Sequence, residues 1–376
     1  MSTVEQADSP ETTMPRRLTW HGVYTVAQLE LIQRLRSSRW KIVLALWFVG
    51  VGVICLLITT ATTSMTTTTS SNIVPTGQWI FGLNVYFILF MGLLVTPSLG
   101  STAINGDRNG GTLAILQASL LSSWEIIVGK WLAGWTTSLA FLGASMPYII
   151  WSLAAGGVDI LDVVVVLVFM MFILAVVCAV SLFWSAKMVK TATSTLMSYF
   201  SVALVSFISL LLFGLGTLVF QHTVTDRQMT PSAYSPTTGD PISCEVSTVY
   251  TQDFGMNYLW PLLAVNPFVL VADSSPQPVE TLAEETGPLA AVQLGVRYAR
   301  SNPQDRDWDQ AWCNEDGTVV SSAEHSARME NYGDIAGPVW PYGIALYTIF
   351  GGLALFGAER RIRTPIATLA KGVRIA

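Results

Sequence analysis

Six apolar stretches of about 20 residues divide this chain, near 42–60, 79–104, 129–154, 163–184, 196–220 and 338–358. A helix is the one open-ended form in which such a stretch can cross a bilayer, because it satisfies its own backbone N–H and C=O groups where no water can. Charged residues make up 12 % of the 376 positions, against about 25 % in soluble domains. The predicted class is therefore an all-α polytopic membrane protein with six transmembrane helices. The first apolar run follows a polar leader with no small-residue cleavage site behind the run, so it reads as a retained span and not a signal peptide.

Lys and Arg near the span ends set the orientation. Arg16, Arg17, Arg34, Arg36, Arg39 and Lys41 precede the first span, Arg108 and Lys130 flank the second connection, Lys187 and Lys190 the fourth, and Arg360, Arg361, Arg363, Lys371 and Arg374 follow the sixth. The 61–78 loop has none, and the 155–162 loop carries only Asp159 and Asp162. Both termini are predicted to be cytoplasmic. The 221–337 segment then lies outside, with sixteen acids against five arginines, a balance of −11. In that compartment Cys244 and Cys313 are candidates for a disulfide. Cys55 and Cys178 fall within spans and read as small packing residues.

The predicted organisation is a disordered cytoplasmic leader, 1–19; an interfacial helix plus transmembrane helices 1–5, 20–220; a large extracytoplasmic insertion, 221–337; and the sixth span with a basic cytoplasmic tail, 338–376. In 20–41, Val23, Val26, Leu29, Ile32 and Leu35 recur every third residue, and basic residues gather at the C-terminal end. This predicts an amphipathic helix lying in the inner membrane interface. In the insertion an amphipathic helix is expected over 280–300. The apolar 257–272 stretch is expected to dip into the outer leaflet, and no strand pattern stands out.

Several function classes are excluded. No basic patch outside the membrane flanks would serve a nucleic acid. No Asp, Glu or His relay lies inside the spans, as proton-coupled transport would want. His21, His222 and His325 are too dispersed to suggest a metal site, and no Ser/His/Asp or HExxH arrangement is present.

The most specific segment is 105–131, NGDRNGGTLAILQASLLSSWEIIVGKW. Asn105 to Gly111 favours a break in the preceding helix. Thr112 can cap a new short helix, with Leu113, Leu116 and Leu120 along one side. Ser122 and Glu125 form a capping-box pattern that starts the third span. A short helix held at a cytoplasmic loop tip suggests a docking element for another protein. Glu125 and Lys130 are alternatively a local cap and an interface anchor.

This stretch resembles the signature of type-2 ABC exporter permeases, carried here by Asp107-Arg108, Gly111-Thr112-Leu113, Leu116, Ser122-Ser123 and Gly129-Lys130. It departs from that signature in having Asp107 where Glu is usual, a second glycine, Gly110, and no proline near the turn. Six spans, an interfacial N-terminal helix, termini inside, a large insertion before the last span, and the apolar Asn-Pro segment 259–273 extend the resemblance over nearly the whole chain.

The resemblance implies a permease subunit of an ATP-driven transporter, exporting a hydrophobic or amphipathic cargo from a bacterial cell membrane. The chain has no GxxxxGK[ST] loop, so ATP and Mg would sit on a separate ABC ATPase; the chain itself is expected to be no enzyme, with no cofactor or metal of its own. Its expected partners are that ATPase, a second permease chain in a homo- or heterodimer, and membrane lipid, with no nucleic acid. Asp107, Arg108, Gly111, Thr112, Leu113, Leu116, Ser122 and Glu125 would couple it to the ATPase. Asn84, Phe87, Met91, Tyr199 and Ser206, with Tyr86, Phe90, Phe200 and Phe207 beside them, are candidates for the translocation path. Two other readings stand. One is a membrane scaffold or sensor with an acidic extracytoplasmic ligand-binding domain. The other is a polytopic enzyme, for which no catalytic cluster is seen.

Overall fold

The computed structural model describes residues 18–68, 76–111, 121–237, 241–276, 287–301, 312–314, 316, 318–321, 324 and 337–363. Helix α1 (Trp20–Arg36) leads into α2 (Ser38–Thr68), followed by α3 (Thr76–Gly100), a short α4 (Asn105–Asn109), α5 (Ser123–Ala154) and α6 (Ile160–Lys187). Next come α7 (Thr191–Ala203), a π-helical turn (Leu204–Ile208) and α8 (Ser209–Val219). All six predicted stretches lie on helices long and apolar enough to cross a membrane, the fifth made of α7, the π turn and α8, the sixth of α12 (Trp340–Ile362). The chain is a multi-pass membrane protein.

The core sits between the second, third and fourth spans. Phe81, Val85 and Leu89 of α3 meet Phe141 and Ile149 of α5 and Val166, Met170 and Ile173 of α6. Lipid tails are as apolar as these side chains, so close packing and small residues draw the helices together. Outside the hydrocarbon a small residue does the same for α1: a Cβ at Gly129 would lie 2.7 Å from that of Val26, so α1 can lie on α5 only because the side chain is missing.

The observed α1 differs from the expected face. Gly22, Val23, Val26 and Ala27 are buried against α5, whereas Leu29, Ile32 and Leu35 are exposed. A step of three residues turns an α-helix by about 300°, so the four steps from Val23 to Leu35 sweep round the helix and the five residues cannot share one face. The buried stripe follows mixed three- and four-residue steps and continues to Glu30 and Arg34.

The all-α expectation also needs correction. Between the fifth and sixth spans, β1 (His222–Tyr234) pairs antiparallel with β2 (Pro241–Asp253), His222 opposite Asp253. The physical signal is the alternation Ile242, Cys244, Val246 and the density of β-branched Thr and Val, both favoured on a pleated surface. Cys244 and Cys313 are joined by a disulfide.

The apolar stretch after the hairpin forms α9 (Met256–Ala264) and α10 (Pro267–Ser274), separated by a break at Asn266. Leu270 and Val271 of α10 enter the same core as the spans. The predicted 280–300 helix is observed as α11 (Pro288–Arg300), and residues 280–286 of it lie outside the described residues. The leader 1–17 and the tail 364–376 lie outside them too.

Candidate functional site

At the N-terminal edge of α5 the capping box forms. Ser122 N–H donates to Glu125 Oε2 (2.6 Å), and Glu125 N–H donates to Ser122 Oγ (3.2 Å). Glu125 does more than cap its own helix. Its Oε1 accepts from Thr19 N–H (2.8 Å) and from the Thr19 hydroxyl. Thr19 is the N-cap of α1, its Oγ1 accepting from Gly22 N–H. One buried carboxylate thus joins the N-termini of two helices, the end where the helix dipole favours negative charge.

Five residues on, Lys130 points the same way. Its ammonium lies between Glu30 of α1 and Asp107 of α4, 2.6 Å from the latter, with a side chain 1 % exposed. A cation this buried is retained only with partners, and two carboxylates supply them. Arg34, one turn past Glu30, donates to Thr137 Oγ1 of α5 (3.1 Å) and to the Leu99 carbonyl of α3 (3.2 Å). Burial lowers the Arg34 pKa and the Glu30 charge opposes that shift; a guanidinium keeps its charge regardless.

The turn between α3 and α4 is fixed from behind. Ser185 of α6 accepts from the backbone N–H of Ile104 (2.9 Å) and Asn105 (3.2 Å), and Ser194 of α7 donates to the Ser101 carbonyl (2.7 Å). Small hydroxyls thereby meet backbone groups freed where the helix ends.

The third span has 32 residues, a helix of about 48 Å at 1.5 Å per residue against a hydrocarbon core of about 30 Å. Its first turns therefore stand outside the hydrocarbon, which is where Glu125 and Lys130 gather their charged neighbours.

Of the residues predicted for coupling, Asp107, Ser122 and Glu125 fall within this cluster. Arg108 is half-buried; its backbone N–H donates to the Ile104 carbonyl, and its side chain has no hydrogen bond or ion pair among the described residues. The expected break is displaced: α3 already ends at Gly100, the chain turns over 101–104, Asn105–Asn109 is helical, and a second turn follows at Gly110 and Gly111. Gly111 has φ +73°, a backbone region that suits glycine. Thr112, Leu113 and Leu116 lie outside the described residues. Sequence reasoning missed Thr19 and Glu30. Glu30 had a local signal, as the lone acid on the stripe Val23, Val26, Ala27.

The path candidates are distributed. Asn84 is fully buried and donates to Cys55 Sγ of the first span (3.3 Å). Phe87 and Met91 pack on the core. The Tyr199 hydroxyl donates to the Leu94 carbonyl (2.8 Å), and Phe90 meets Phe207 edge-on, so spans two and five touch. Ser206 lies in the π turn. There Asn266 Nδ2 donates to the Ser206 carbonyl (2.7 Å) and to Ser209 Oγ (3.1 Å), while its Oδ1 accepts from Phe268 N–H. The Asn-Pro pair thus starts α10, with Pro267 at a position needing no N–H, and bonds irregular backbone inside the fifth span.

A comparison with protein families matches residues 24–272 to the family described as ABC-2 family transporter protein. A comparison with curated proteins finds no match.

Proposed function

The chain belongs to the ABC-2 transporter family, and on that premise we propose that it is the permease of an exporter driven by a separate ATPase docking on the 105–130 element. Membership makes it a membrane permease of an ABC transporter; export, cargo and the route of coupling are the further steps of the reading. With Lys and Arg on the α1 side, that side is cytoplasmic and the hairpin is outside.

The observation that carries the reading is Lys130, buried between Glu30 and Asp107. It ties together α1, α4 and the start of the third span, so force applied to one reaches the others. Leu113 and Leu116 anchor in a groove of the ATPase, and Arg108, uncommitted within the described residues, meets an acid there. ATP, with Mg, is bound and hydrolysed on the partner. Closure of the ATPase pair displaces the whole unit, and spans of two permease chains tilt about a path between them, a rigid-body transition. The apolar, aromatic residues of spans two and five suit a hydrophobic or amphipathic cargo.

The test is co-purification from mild detergent. The native chain should retain an ABC ATPase, and Leu113→Asp with Leu116→Asp should lose it while the permease stays monodisperse. Lys130→Ala should retain the ATPase yet uncouple hydrolysis from export. Failure to recover any ATPase with the native chain would reject the reading in favour of a scaffold or sensor built on the acidic insertion.

A further inference from the structure

An apolar cavity of about 370 Å³ lies between the fourth, fifth and sixth spans. That volume falls in the range of ligand sites, about 300–1,000 Å³. Its polar side chains are all committed within the protein. Ser181 donates to the Val177 carbonyl, Ser198 to Ser194, Ser201 to Met197, Trp184 Nε1 to Ser201 Oγ, and the Tyr347 hydroxyl to Val265. The hydroxyl and indole donors of the wall are all spent and the rest of the lining is apolar, so the cavity suits hydrocarbon. The sixth-span residues at its edge, Phe350 and Leu353, are exposed on the surface of a membrane span, so the cavity is reached from the bilayer.

One end of the cavity is charged. Phe183 and Trp184 form that end, and Lys187 Nζ lies over both rings, 5.5 and 4.9 Å from their centres. Lys187 is exposed and has no carboxylate partner among the described residues, and Lys190, also exposed, is the N-cap of α7. The Lys187 ammonium therefore stands where a chain leaving the cavity would carry its headgroup, and Lys190, three residues on at the positive end of a 13-residue helix, supplies a second cation to the same connection.

We propose that this is a binding site for a phospholipid with an anionic headgroup, its acyl chain between the fourth, fifth and sixth spans and its phosphate on Lys187 and Lys190. The apolar lining, with its hydroxyl donors spent, disfavours a polar occupant, and the two lysines select against a zwitterionic lipid. The site needs only the membrane-spanning arrangement, and stands apart from the coupling to an ATPase.

The experiment is native mass spectrometry of the full chain in mild detergent, titrated separately with dioleoyl phosphatidylglycerol and dioleoyl phosphatidylcholine. One phosphatidylglycerol should be retained at a concentration about tenfold lower than phosphatidylcholine, from two lysines near the headgroup. Lys187→Gln with Lys190→Gln should erase that preference and leave the weaker binding. Val202→Trp, which fills the cavity without touching the lysines or the Trp184–Ser201 bond, should remove the retained lipid; circular dichroism and size exclusion establish that both variants are folded. Equal retention of the two lipids by the native chain, unchanged binding in the folded Val202→Trp variant, or a cavity covered in lipid-free dimers would each overturn the proposal.

Discussion

Lys130 illustrates how much one side chain can hold. Its ammonium neutralises one carboxylate from α1 and another from α4, almost wholly out of solvent. Truncating Lys130 leaves Glu30 and Asp107, both partly exposed, without their shared cation, at a cost of about 1–3 kcal/mol, less than for a fully buried pair. Lys130→Ala should accordingly lower stability by that order, measured as thermal unfolding in detergent. Adding Glu30→Gln should recover part of the loss, because it removes the Glu30 carboxylate that Lys130 no longer neutralises; additive losses would show that the pair is not coupled. At this scale the sequence was partly readable. Ser122 and Glu125 announce themselves because their partners are three residues apart. Thr19 and Glu30 bond residues about a hundred positions away, and no local pattern carries such a pairing.

Among the elements, the fifth span depends on a segment from beyond the hairpin. Asn266 supplies the donors for the Ser206 carbonyl and Ser209 at the π turn and also caps α10. Asn266→Ala should cost about 1–3 kcal/mol for the group left unpaired. Amide exchange should quicken within Leu204–Ile208 and at the start of α10, and exchange confined to α10 would contradict a link to the span. The hairpin is held differently. Its disulfide joins residues 69 apart, a constraint on the unfolded chain of about 4 kcal/mol in the loop-entropy treatment. Replacing Cys244 and Cys313 by Ser should speed proteolysis of β1 and β2 and leave the spans intact; equal protection in the variant would contradict the tether.

The spans were legible because hydrocarbon permits so few forms. The hairpin was not, since its alternation is diluted by Thr and Ser and its register is fixed by a partner strand. The Asn-Pro segment read as apolar, but its place in the core depends on gaps that only the assembled spans create.

For the whole molecule, two polar clusters secure opposite ends of an apolar body. On the α1 side Glu125, Lys130 and Arg34 bind the first helix to the second and third spans. On the hairpin side buried Asp273 accepts from Arg297 Nε (3.0 Å) and from the N–H groups of Val339 (2.6 Å) and Trp340 (2.7 Å), at the start of the sixth span. Each cluster ties helices that are distant in sequence, as a body that tilts without coming apart requires. This arrangement was the least legible, because charge at span ends reads equally well as topology signal or as contact.

The central claim is that α1, α4 and the start of the third span move as one unit when ATP acts. Spin labels on Gln28→Cys and Asn109→Cys, both exposed positions, would measure it within one protomer of the transporter complex, with and without trapped nucleotide. The expected result is a single narrow distance that nucleotide leaves unchanged in the native background and broadens in Lys130→Ala. A native distance that shifts on trapping nucleotide would mean that α1 and α4 move separately, and coupling through Lys130 would be wrong.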